Sequence, residues 1–195
     1  MHARSQLLPL LRSPLAGELL AWLYLHPEES YPVSELAQRL WAAPSAIGRE
    51  ADRLTEAGLL HQHRRGNLRL LRAKAGTAVT RPLTDLLALA YGPAPILTDL
   101  LAPLPGVDAA YLHGSWAARH TGEPGPPPAD VHVLVIGSLH DDDLDATVRA
   151  AERRLARAVT ITHVSQARWH SAADDPLLTL VRSQPLFPLL PAEGL

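Results

Sequence analysis

Asp130 and His132 stand two residues apart at the start of an apolar run, DVHVLVIG, with His113-Gly114-Ser115 some distance upstream. Residues i and i+2 of a strand share a face. The spacing therefore predicts a carboxylate beside an imidazole beneath the Gly-Ser turn, the makings of a catalytic or metal-binding centre. With His113 as a third ligand, such a set suits Mn²⁺, Zn²⁺ or Fe²⁺ better than Mg²⁺; the plainer reading is three histidine and carboxylate positions that hold no metal. His163, Trp169 and His170 have no spacing that specifies a site, and Trp169 reads as core. A second group is cationic. Ser45, Arg49 and Arg53 recur at helical spacing on the polar side of one segment, and Arg64 and Arg65 stand in the connection Arg64-Arg65-Gly66-Asn67. Converging guanidinium groups suit phosphates and base edges, whereas separately they are an ordinary solvated helix face and hairpin tip. His61 and His63 alternate around Gln62 and read as exposed strand positions, because no third ligand is spaced nearby.

The elements that must hold these residues follow from periodicity. Leu15, Leu19, Leu20, Leu23 and Tyr24 recur at helical spacing after Ser13-Pro14, and His26-Pro27 ends that helix. A short helix is predicted over 34–40, with Leu36, Ala37 and Leu40 inward, then a turn over 41–43. Pro44-Ser45 opens a third helix that buries Ile47, Ala51 and Leu54 and stops at Gly58. Two β-like runs, 59–63 and 68–72, joined through 64–67, predict a hairpin with a basic tip.

Residues 79–104 form a helical connector of two apolar segments, 83–91 and 96–101, parted by Gly92-Pro93-Ala94-Pro95. Proline inside a helix costs ~3 kcal/mol, so a break is expected there. The apolar faces of this connector require a cover, either the next domain or a second copy of the chain. Beyond it, strand 108–113, helix 116–120, strand 131–136, helix 141–157, strand 159–164, a further helix reaching 182 and a short strand 186–190 predict an α/β domain around one sheet. Asp141-Asp142-Asp143 fits the acidic first turn of a helix better than a metal cluster.

Bulk properties narrow the classes. At 195 residues and 47% hydrophobic composition the chain can bury a core in one or two domains. The absence of cysteine excludes disulfides, thiolate metal sites and cysteine nucleophiles and favours a cytoplasmic address. A net charge of −2 excludes polyanion binding by bulk charge, so any nucleic-acid contact needs a local basic face. The N-terminal stretch MHARSQLLPLLRSPL lacks the uninterrupted apolar core of a signal peptide, and no run approaches the ~20 residues that span a bilayer.

Two resemblances join these elements. RSPLAGELLAWLYLHPEESYPVSELAQRL followed by PSAIGREADRLTEAGLLHQHRRGNLRLLRA resembles ArsR-like and MarR-like bacterial regulators, whose domain is a winged helix-turn-helix. The resemblance implies a third helix in the major groove of double-stranded DNA. Ser45 and Arg49 would reach base edges there, and Arg53, Arg64 and Arg65 would meet phosphates. It also implies a homodimer, and no cofactor for DNA binding.

HGSWAAR followed by ADVHVLVIG resembles the minimal nucleotidyltransferases of the DNA polymerase β superfamily. That resemblance implies that Gly114 and Ser115 face nucleotide phosphates and that Asp130 is the first ligand of a divalent metal, Mg²⁺ or Mn²⁺. The second ligand position holds His132, and the expected third carboxylate falls on a strand whose candidates are Thr160 and Thr162. The proline-rich loop 121–129 adds a rigid obstacle.

The sequence thus predicts an α+β chain. Residues 1–78 form a winged helix-turn-helix domain, residues 79–104 a connector, and residues 105–195 an α/β nucleotidyltransferase-like domain with a central mixed sheet. The implied function is a transcriptional regulator whose second domain is a pseudoenzyme used for ligand sensing or partner binding. Two alternatives stay open. One is an active metal-dependent nucleotidyltransferase acting on a small molecule, RNA or protein; the other is an antitoxin-like partner of a separate toxin-like protein.

Overall fold

The computed structural model describes residues 11–171 and 175–190 of the chain, so the N-terminal stretch before Leu11 lies outside the described residues. The fold is α+β, in two compact units, Met1–Gly92 and Pro93–Leu195. None of the helices among the described residues is long and apolar enough to cross a membrane.

The first unit is built on α1 (Pro14–Leu25), capped by the Ser13 hydroxyl, which accepts from the Ala16 N–H at 3.2 Å. β1 (Tyr31–Pro32), α2 (Val33–Arg39), α3 (Pro44–Glu56), β2 (Leu60–Arg65), β3 (Leu68–Ala73) and α4 (Thr80–Tyr91) follow. The three strands form an antiparallel sheet in the order β1-β3-β2. Ile47, Ala51 and Leu54 of α3 are buried, as their spacing requires, in one cluster with Leu19, Leu23, Leu36, Leu71 and Leu87. The strands of the hairpin run further than expected, because only Gly66-Asn67 form the turn and Arg64 and Arg65 pair within β2. Gly66 takes φ 60°, which a two-residue type II′ turn demands at its first central position.

The expected connector 79–104 is divided between the two units. α4 packs on α1 in the first unit, and α5 (Pro93–Leu101) belongs to the second. Both helices start earlier than their apolar periodicity suggested, since Pro82 and Pro93 sit in first turns, where a missing N–H costs nothing. The break falls at Gly92, where a Cβ would stand 2.3 Å from the Ala88 carbonyl oxygen.

The second unit continues with β4 (Val107–His113), α6 (Ser115–His120), β5 (Asp130–Gly137), α7 (Asp141–Leu155), β6 (Ala158–Val164), α8 (Gln166–His170), α9 (Pro176–Ser183) and β7 (Phe187–Leu190). Its mixed sheet has the order β6-β5-β4-β7, with β5 and β6 parallel and the other pairs antiparallel. Val131 through Ile136 are buried apart from the half-buried His132, so β5 is covered on both faces over its apolar run. α7 begins with the three aspartates and ends at Leu155, two residues short of expectation, because Ala156 takes a left-handed φ of 49°. The further helix is two helices, α8 and α9; residues 172–174 between them lie outside the described residues.

Candidate functional site

On α3 the burial of Ile47, Ala51 and Leu54 leaves Ser45 and Arg49, four residues apart, on the exposed side. Arg53, one turn further, is half-buried and hydrogen-bonded to Glu50 on the same helix. Its charge is thereby matched within α3 by an acid at i,i+3 spacing, a pairing the sequence reading passed over. Arg64 and Arg65 are exposed next to the hairpin turn. His61 and His63 are exposed on the same strand, with ring centroids 6.3 Å apart.

The residue that joins helix to hairpin is one the sequence reading passed over. Arg69 of β3 donates from Nε to Gln62 Oε1 of β2 at 2.9 Å, from one terminal nitrogen to Asp52 Oδ1 of α3 at 2.5 Å, and from the other to the Gly48 carbonyl at 3.5 Å. These contacts close a polar cleft of about 330 Å³ lined by Asp52, Gln62, His63, Arg64 and Arg69. The register pairs Arg64 with Arg69 across the hairpin. Like charges directly opposite are unfavourable, so one of the two has to turn toward an acid. Arginine at both ends of RRGNLR is the signal from which this could have been found.

The turn between α2 and α3 holds a second unforeseen feature. The Ala42 N–H reaches back to the Ala37 carbonyl at 2.9 Å, and Trp41 between them takes φ 50° with its side chain 96% exposed. A helix end of this kind usually carries glycine.

In the second unit the antiparallel register sets His113 of β4 opposite His132 of β5. Their ring centroids lie 5.5 Å apart, and His132 Nε2 is 2.9 Å from Asp130 Oδ2. The i, i+2 expectation for Asp130 and His132 is therefore met in geometry. Burial holds His113 below its ordinary pKa, the neighbouring His132 adds to the depression, and the side chain of Gln184 opposes it. Gly114 follows at φ 69°, ψ −146°, a conformation essentially restricted to glycine, and Ser115 starts α6. Arg119 of α6 is turned onto the proline-rich loop, donating to the Glu123 carbonyl at 3.1 Å and the Pro126 carbonyl at 3.4 Å.

On the other side of β5, the parallel register sets Thr160 beside His132 and Thr162 beside Leu134. Among the described residues no group of three or more His, Asp or Glu side chains is placed to hold a metal ion. One exposed carboxylate, already engaged by an imidazole, does not fit a pair of magnesium ions, which require several hard oxygen donors. His163 contacts the Gly137 carbonyl at 3.1 Å and His170 the Gln166 carbonyl at 2.8 Å, apart from Asp130. Trp169 is half-buried against the core beneath the Arg182 guanidinium, which lies 4.2 Å from its ring centroid.

No family model and no curated protein matches this chain. Among solved structures, it is similar to the X-ray crystal structure of the YusO protein from Bacillus subtilis, at 26% sequence identity and a TM-score of 0.33. That match covers 40% of this chain and 54% of the other, so the chain spans about half the length of that protein.

Proposed function

We propose that the chain is a sequence-specific DNA-binding regulator. Its first unit acts as a winged helix-turn-helix, and its second unit is a nucleotidyltransferase-like domain that senses a ligand or partner without catalysing transfer. The reading rests on one observation: the exposed Ser45 and Arg49 of α3 are tied through Arg69 to a hairpin that presents Arg64 and Arg65. In this reading α3 enters the major groove. Arg49 reads a base edge, and the hairpin arginines neutralise phosphates. Arg53, matched by Glu50, adds less charge than a free arginine would. A homodimer fits the same reading, because a two-fold protein matches paired half-sites and a second copy would cover the exposed Val79, Leu86 and Leu89 on and beside α4.

The test is binding of labelled duplexes, starting with the region upstream of the chain's own gene, at several salt concentrations. Arg49→Ala should weaken binding by ~1–3 kcal/mol and relax sequence preference. Replacing Arg64 and Arg65 together by alanine should weaken binding to all duplexes and reduce the salt slope by about two. Absence of binding to any enriched duplex would overturn the proposal. For the second unit, labelled nucleoside triphosphates with Mn²⁺ should yield no transfer product; transfer abolished by Asp130→Ala would establish an enzyme instead.

A further inference from the structure

The hairpin is a two-stranded ribbon whose outer end, Arg64 to Leu68, is exposed throughout. Two strands alone are marginally stable in water, and the third strand, β1, pairs only with Leu70 and Leu71. Nothing in the backbone pairing fixes the angle at which the tip projects from α3. Arg69 lies next to the tip and is the side chain that bridges the gap. Its planar guanidinium spans Gln62 on the neighbouring strand and both Asp52 and the Gly48 carbonyl on α3. Lysine, a single ammonium on a flexible stem, could not satisfy that fork. Asp52 is notable from the other side: it is a carboxylate, 65% exposed, beside a basic face, where it would repel an approaching polyanion.

We propose that Asp52 and Arg69 form a brace that positions the hairpin tip relative to the exposed face of α3. Arg69 is thus a positioning residue and not a phosphate contact. The inference rests on the DNA-binding reading for its consequence, but the brace itself can be measured without DNA.

The two roles for Arg69 predict opposite signs at Asp52. If Arg69 met phosphate directly, Asp52→Ala would remove a competing negative charge and tighten binding. With a brace, Asp52→Ala and Arg69→Ala each weaken duplex binding about tenfold and lower the salt slope by about two, as the tip arginines lose their place. The double variant is no weaker than either single one, because both break the same contact. The melting temperature of Asp52→Ala should barely move, since its carboxylate is largely exposed.

Hydrogen exchange at amides 64–68 in the free protein supplies the independent arm, with Asp52→Ala raising it several-fold. Unchanged exchange, or tighter duplex binding by Asp52→Ala, overturns the brace. Faster exchange in a protein that binds no duplex would keep the brace and remove the DNA-binding reading.

Discussion

Gly17 offers a test of the packing that carries the first unit. It lies inside α1, buried against the end of α4, where a Cβ would stand 2.1 Å from Tyr91 Oη, 2.7 Å from its Cζ and 2.9 Å from Leu11 Cδ1. Alanine at a helix interior gains up to ~1 kcal/mol over glycine from propensity. Overpacking a tight contact costs ~1–3 kcal/mol. Three overlaps, two of them with a rigid ring, place Gly17→Ala toward the upper end, for a net loss of about 1–2 kcal/mol. In a unit of this size that lowers the melting temperature by roughly 4–8 °C per kcal/mol.

Two companions sharpen the test. Tyr91→Phe removes the nearest overlapping atom, a buried hydroxyl without a hydrogen-bond partner, and should restore part of the loss in the double variant. Gly48→Ala, where the nearest atom to the added Cβ is an Arg69 terminal nitrogen at 3.7 Å, should gain up to ~1 kcal/mol. Thermal unfolding followed by circular dichroism measures all four. A Gly17→Ala protein melting at or above the parent would refute the argument.

Trp41→Asn should leave stability unchanged or raise it by up to ~1 kcal/mol, because asparagine tolerates the left-handed backbone and the indole is almost fully exposed; a fall in melting temperature would mean that the ring has an unseen contact. Gly114→Ala should cost ~1–3 kcal/mol in urea unfolding, since its φ of 69° and ψ of −146° suit no L-residue. Stability should also fall in mild acid. Burial depresses the folded-state pKa of both His113 and His120, so the unfolded chain takes up protons first as pH drops below its ordinary value of ~6.5. The loss begins there and grows down to the folded values, with no contribution above. His120→Leu should flatten part of that slope in melting curves between neutral and mildly acid pH, and an unaltered slope would show that the histidines are not its source.

How far residue order alone reaches is clearest at the two sites. Helix α3 was legible because one apolar face, Ile47, Ala51 and Leu54, fixes which residues face out. The neutralisation of Arg53 was legible in its i,i+3 spacing from Glu50 but was passed over, whereas the diversion of Arg69 was not, because it depends on a side chain choosing between solvent and an acid on another element. In the second unit, the pairing of Asp130 with His132 follows from strand geometry alone, whereas setting His113 opposite them needs the register. A slip of one residue would move His113 to the other face.

For β6 and β7 the absence of carboxylates does not depend on register. β6 reads AVTITHV and β7 reads FPLL, so neither can offer an acid on either face. Asp108, the acid on β4, is five residues from His113, at ~3.3 Å per residue too distant to share a metal with Asp130. In the register of this sheet its strands bring one carboxylate to the end where Asp130 stands. A site for two hard cations needs several carboxylate oxygens, and β4, β6 and β7 supply none beside Asp130.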